Sequence, residues 1–341
     1  MKIDTSLSGL EDAPDHARRL EGLGVDGAFT FEGPHEVFTP LILAAPATTS
    51  LELSTNVAIA FPRNPVQLAH QAYDLQLLSR GRFTLGLGSQ IRAQVEKRYG
   101  ASFDRPIARM RALVGALRAI FATWEIGAPL DFTSEFTSHT LMPPMFNPGP
   151  HPFGMPPIAV GGLGPQMIRL AAEVADGVLV MPFNTADHFR QRTLPAIEEG
   201  LARAGRRRSD LTVTGEVIVC CGRDDEEMET ARAAGRWLLA FYASTPAYRP
   251  VLEVEGWEHL QPELNMLSKT GRWEEMPEMI DDSMLEALAA VGTPREVAAG
   301  IVERFADRVD RVGFYTPYQM ADDTLGELVD ALAGATGGAP S

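Results

Sequence analysis

Short β-rich runs alternate with stretches of helical period along most of this chain. The pattern predicts strands over residues 3–7, 27–31, 51–58, 83–88, 157–160, 177–181, 212–221 and 311–315. It predicts helices over 15–23, 40–48, 65–79, 105–124, 165–175, 187–204, 225–242, 294–305 and 323–333. Local signals agree: Gly24 and Gly205 stop two helices, Pro65 opens one in its first turn, and Thr293 caps another. Two stretches break the rhythm. Residues 130–156 are rich in Pro, Phe and Met and suggest a loop with one hairpin over 131–141. Residues 223–284 begin as a helix and then read as irregular and acidic. Strands joined by crossover helices call for a parallel sheet, and eight of them can close. The expected architecture is an α/β (β/α)8 TIM barrel, one domain over 1–333, with insertions after strands 4 and 7 at about 125–156 and 223–284. The tail 334–341, GATGGAPS, is expected to be disordered. In such barrels chemistry sits where strands end and the βα loops begin.

Composition narrows the function. A net charge of −15 argues against general nucleic-acid binding. No apolar run reaches the roughly 18 residues that span a bilayer, and the N-terminus lacks the layout of a secretory signal. The two cysteines, Cys220 and Cys221, are neighbours in the apolar run VTGEVIVCCG. Neighbours on a strand point to opposite faces, so they read as buried thiols in a reducing compartment. A cytoplasmic enzyme acting on a small molecule is expected, with no membrane or nucleic-acid partner. The charge is uneven, however: residues 92–111 carry six basic side chains against two acidic ones, an excess suited to an anionic cofactor or to a solvated helix face.

Candidate chemistry follows the strand ends. Gly86 and Gly88 close the fourth strand and would let backbone approach a flat ring. Gly161, Gly162, Leu163, Gly164 and Pro165 lead from the fifth strand into a helix, a layout that offers free N–H groups to a phosphate. After the second strand, FEGPHEVF holds Glu32 and His35, either of which can serve as a proton-transfer group. Tyr242, Tyr248 and Arg249, in the second insertion, suit a substrate pocket or equally a packed lid. The other histidines lie singly, without metal-ligand spacing, and no G-x-S-x-G elbow occurs.

The stretch LELSTNVAIAFPRNPVQLAHQAYDLQLLSRGRFTLGLGSQIR resembles the bacterial-luciferase-like superfamily: a strand, then R-N-P, a helix ending L-S-x-G-R, and a G-x-G strand. GGLGPQMIRLAAEVADGVLV and VGTPREVAAGIVERFADRVDRV look like its later stretches. LDFTSEF, FYASTPAYRPVLE and LSKTGRWEEM resemble a subgroup of F420-dependent oxidoreductases. The resemblance implies coenzyme F420 and hydride transfer between its C5 and an alcohol–carbonyl pair or an activated alkene; the alternative is an FMN-dependent monooxygenase using oxygen. It implies a cis peptide at Asn56–Val57 pressing on the ring, Ser89 and Gln90 at the ring edge, and a homodimer through the second and third helices, where residues 41–47 are strongly apolar. Basic residues after strand 4 would meet the oligoglutamate tail of F420. Two departures stand out. The family's adjacent acid and histidine are here separated, as Glu32 and His35, by Gly33-Pro34; and the glutamate that some relatives carry after strand 4 is absent from Ser89-Gln90-Ile91-Arg92.

Overall fold

The structure, a computed structural model, describes residues 1–305 and 307–337. Eight strands form the barrel: β1 (Lys2–Ser6), β2 (Gly27–Thr30), β3 (Glu52–Thr55), β4 (Phe83–Gly88), β5 (Ile158–Gly162), β6 (Gly177–Val180), β7 (Thr212–Cys221) and β8 (Arg311–Tyr315). Every neighbouring pair is parallel. Closure comes from β8, which lies between β7 and β1, and from β7, which also pairs β6. The (β/α)8 barrel expected from the alternating pattern is therefore present.

Alternation along the strands sorts side chains between two cores. Ile3, Leu53, Leu85, Val160, Val178, Val213 and Val312 belong to the large apolar core under the surrounding helices. The intervening positions face the lumen, among them Asp4, Phe29, Leu179, Glu216 and Arg311. Helix starts follow local chemistry. Asn64 caps Pro65–Leu78 by accepting from the Val66 N–H at 2.9 Å, with Pro65 supplying a preset first residue.

Ions close the floor of the lumen. Arg311 donates to Asp4 (2.7 Å) and to Glu52 (2.6 Å), and Lys2 pairs with the same Glu52. A side chain at residue 27 would collide with the Asp4 carboxylate and Arg311, which explains Gly27 there.

Several expectations need correction. The third strand does not run unbroken over 51–58: it stops at Thr55 and resumes as Ala58–Ile59 against β4. The stretch read as irregular is mostly helical, with helices Arg249–Glu255, Leu260–Lys269 and Asp282–Leu288. It ends in an unexpected strand, Ala289–Gly292, paired with the end of β7. These helices are too short for a helical period to show in sequence; burial of Val251, Leu264 and Leu285 in a second apolar core holds them. The hairpin in the first insertion is present as Phe132–Thr133 against Ser138–His139. The last helix, Asp322–Gly337, runs through the first part of the tail expected to be disordered; residues 338–341 lie outside the described residues.

Candidate active site

The break in β3 shapes the mouth of the barrel. The Asn56–Val57 peptide is cis, as the resemblance implied, and Val57 turns inward. Its methyl groups occupy the space that side chains at residues 88 and 161 would need: a Cβ at 161 would lie 2.9 Å from Val57 Cγ1, and one at 88 would overlap Val57 Cγ2. A Cβ at 86 would overlap the Thr55 carbonyl. Gly86, Gly88 and Gly161 are thus small because the bulge needs the room, a correction to reading the strand-4 glycines as direct access for a ring. Gly162 makes room for Met167. Gly164 differs, since nothing lies within 4 Å of where its side chain would stand. It precedes the helix Pro165–Val174, which has no side-chain cap, while Leu163 is buried beside it. Pro165 carries no N–H and the Met167 N–H donates to the Gly164 carbonyl at 3.1 Å, so the first turn leaves the Gln166 N–H and the helix dipole at this opening.

The loop after β2 separates its two candidates. Glu32 is held from three sides: Arg63 forms an ion pair with it, the Ile59 N–H donates at 3.2 Å and the Tyr99 hydroxyl at 3.3 Å. Its side chain is only 8% exposed. Glu32 fastens this loop to the bulged strand, which is not the position of a free acid. His35, three residues on in the same loop, is exposed.

Around β4, Ser89 and Gln90 serve their own turn. The Ser89 hydroxyl donates to the Gln90 carbonyl at 3.2 Å, and the Gln90 side-chain oxygen accepts from the Ile91 N–H at 2.9 Å, at a left-handed φ of 56°. The basic excess is smaller than the local count implied. Arg92 pairs with Glu96, Arg105 with Glu135, Arg109 with Asp104 and Arg111 with Glu173; two of those carboxylates come from outside the stretch. Arg98 stays on the β2 loop, donating to the Gly33 carbonyl at 3.0 Å.

The predicted substrate residues divide. Tyr242 and Tyr248 pack on each other (centroids 5.9 Å) and on Phe183. Arg249 is exposed and pairs with Glu253 at 3.2 Å, away from them. Tyr242 also faces the hydroxyl of Tyr315 at the end of β8, and Tyr315 packs on the exposed ring of Phe31 at 5.4 Å. An aromatic wall thus joins the second insertion to the rim.

One residue escaped the sequence reading. Glu216, mid-strand on β7, points into the lumen and is 6% exposed. The Asn56 side chain lies against it, and burial, with a smaller push from Asp4, raises its carboxyl to about 8. The signal was a glutamate inside an otherwise apolar strand, VTGEVIVCC; an acid there must be lumenal, because the opposite face lies under helices. On the same strand Cys220 and Cys221 are free and buried, and burial raises both thiols to about 12. No helix among the described residues is long and apolar enough to cross a membrane.

Residues 2–311 match the family model described as luciferase-like monooxygenase. The chain is 46% identical over 313 residues to an uncharacterised protein of Mycobacterium tuberculosis, covering 92% of each. It is 29% identical over 318 residues to a putative coenzyme F420-dependent oxidoreductase of the same species, covering 86% of this chain and 88% of that one. The solved coenzyme F420-dependent tetrahydromethanopterin reductase from Methanopyrus kandleri superposes with a TM-score of 0.82 at 20% identity, over 98% of this chain and 99% of its own, a likeness of fold.

Proposed function

Because the chain belongs to the luciferase-like monooxygenase family, we propose that it is an oxidoreductase that holds coenzyme F420 at the C-terminal mouth of its barrel and moves a hydride to or from a small organic substrate. Bound there, the deazaflavin supplies the hydride-carrying carbon. The observation that carries the reading is the bulge: the inward Val57, backed by Gly88 and Gly161, presents an apolar shelf at the mouth for a planar ring. The Gly164–Pro165 helix start, open and uncapped, suits the phosphate of the cofactor chain. Exposed Lys97 and the neighbouring Arg98 suit an oligoglutamate tail. We assign Ser89 and Gln90, which close their own turn, to the ring edge, and Tyr242, Tyr248 and, once released from Glu253, Arg249 to the substrate. On the rim, His35 is free to meet a substrate, whereas Glu32 is taken up by Arg63. Protein groups here orient the partners and exclude water.

Exposed Ile42, Leu43, Leu77 and Leu78 on the second and third helices support a homodimer through that face, although Leu41 turns inward. Two free buried thiols favour a cytoplasmic setting. Calorimetry and absorbance titrations with purified F420 and FMN test the cofactor. Tight binding of F420 with none of FMN is expected; the reverse would replace this reading with an oxygen-using monooxygenase, the activity in the family's description.

A further inference from the structure

The lumen holds two buried acids in successive layers. Asp4, at the floor, has Arg311 as its partner. Glu216, above it, has none: among the described residues no cation bonds to its carboxyl, and the groups facing it are Asn56 from the bulge after β3, Asp4 from β1 and Tyr315 from β8, with Tyr242 beyond. Gly313, its neighbour on β8, leaves room for its side chain; a Cβ there would lie 3.2 Å from Glu216 Cγ. Tyr315 is two residues further along the same strand, paired in register with Ile218, and so lies one step nearer the mouth on the same face. Its ring then meets Phe31 at the rim. An acid without a counter-ion, a phenol and the mouth therefore follow one another along the lumen.

We propose that Glu216 and Tyr315 form an enclosed proton-delivery pair, Glu216 holding the proton and Tyr315 handing it to a substrate at the mouth. The proposal rests on the reading of the chain as an F420-dependent oxidoreductase. In the reducing direction a new C–H bond forms on the substrate carbonyl carbon with the hydride pair from reduced F420, and the C=O π electrons move to oxygen. The Tyr315 O–H bond breaks and its proton joins that oxygen. The phenolate takes the Glu216 carboxyl proton, and the carboxylate regains a proton from water at the mouth. Each transfer reverses in the oxidising direction. An acid kept neutral at physiological pH suits this task, because it has a proton to give. Whereas His35 is exposed, this pair works from inside the lumen, and Tyr315 is the catalytic member while Glu216 acts through it.

Infrared difference spectra of the purified chain, taken as pH is raised, test the pair without cofactor or substrate. A carboxylic acid band present near neutrality, lost in mildly alkaline buffer, absent in Glu216→Gln and displaced in frequency or midpoint by Tyr315→Phe is expected. A wild-type chain lacking that band at neutral pH, or a band unmoved by Tyr315→Phe, overturns the proposal. Circular dichroism checks that both variants are folded. Reoxidation of reduced F420 by acetone and by 2-cyclohexen-1-one adds a kinetic arm. Each single variant is expected to slow it about 100-fold, and the double variant no more than Tyr315→Phe alone, because the two act in series. A loss confined to His35→Ala, with both lumenal variants at the wild-type rate, overturns it. If neither probe turns over, the infrared arms decide. If wild-type protein fails to bind F420, the cofactor reading falls while the infrared result still reports on the pair.

Discussion

The floor and the mouth of this barrel use the same kinds of residue for opposite ends. At the floor, Asp4 and Glu52 share Arg311, Lys2 joins them, and Gly27 gives the cluster room. Burial raises the Asp4 carboxyl, and the Arg311 guanidinium beside it opposes that push. At the mouth, Gly88 and Gly161 give room to Val57 of a bulge, and Glu216 beneath it has an amide for company but no cation. A paired acid locks strands together; an unpaired one is left with a proton. The floor is thus where the barrel is stabilised, and on the proposed reading the mouth is where it keeps groups for chemistry, as parallel barrels generally divide these duties.

The contrast is open to attack at each end. Arg311→Met leaves the buried Asp4 without its ion-pair partner and Glu52 with Lys2 alone, and a loss of about 4 kcal/mol is expected, read as a lower urea midpoint at pH 7. A change under 1 kcal/mol would deny the floor its structural role. Glu216→Gln is expected to act through pH instead. The folded carboxyl holds its proton up to about pH 8, while in the unfolded chain it ionises near 4.3. Between these values the folded state binds more protons, so this group's contribution to stability falls as pH rises. The variant should therefore gain on the wild type by roughly 3 kcal/mol between about pH 5 and pH 7.5, measured as the difference between their urea midpoints. A difference that stays flat with pH would make Glu216 another ionised, structural acid. Gly88→Ala should cost about 1–3 kcal/mol by overpacking Val57. Adding Val57→Ala should return most of that loss, because the collision is with a side chain that the second change shortens.

Much of this could be read from the chain itself. The strand at 83–88 was legible to the residue because its glycines and alternation leave few other conformations, and Pro65 and Thr293 marked helix starts by local chemistry. Resemblance placed the cis bond at Asn56–Val57. The helices over 249–288 were not legible, since each is too short to show a period and none is stable without the apolar core it shares with Ile218 and Cys220. Glu32 looked like a free acid because its partner, Arg63, lies 31 residues away in sequence and meets it only in the fold.

The order of strands and helices, and hence the barrel, followed from periodicity, because the period of apolar residues is a local property that each segment carries with it. Which acids are paired and which stand alone was decided only by closure: Asp4 meets Arg311 across 307 positions, and Glu216 is left without a cation because Arg311, on the neighbouring strand, is taken up at the floor by Asp4 and Glu52. Charge balance in a closed lumen is a property of the assembled ring, and no single stretch of the chain contains it.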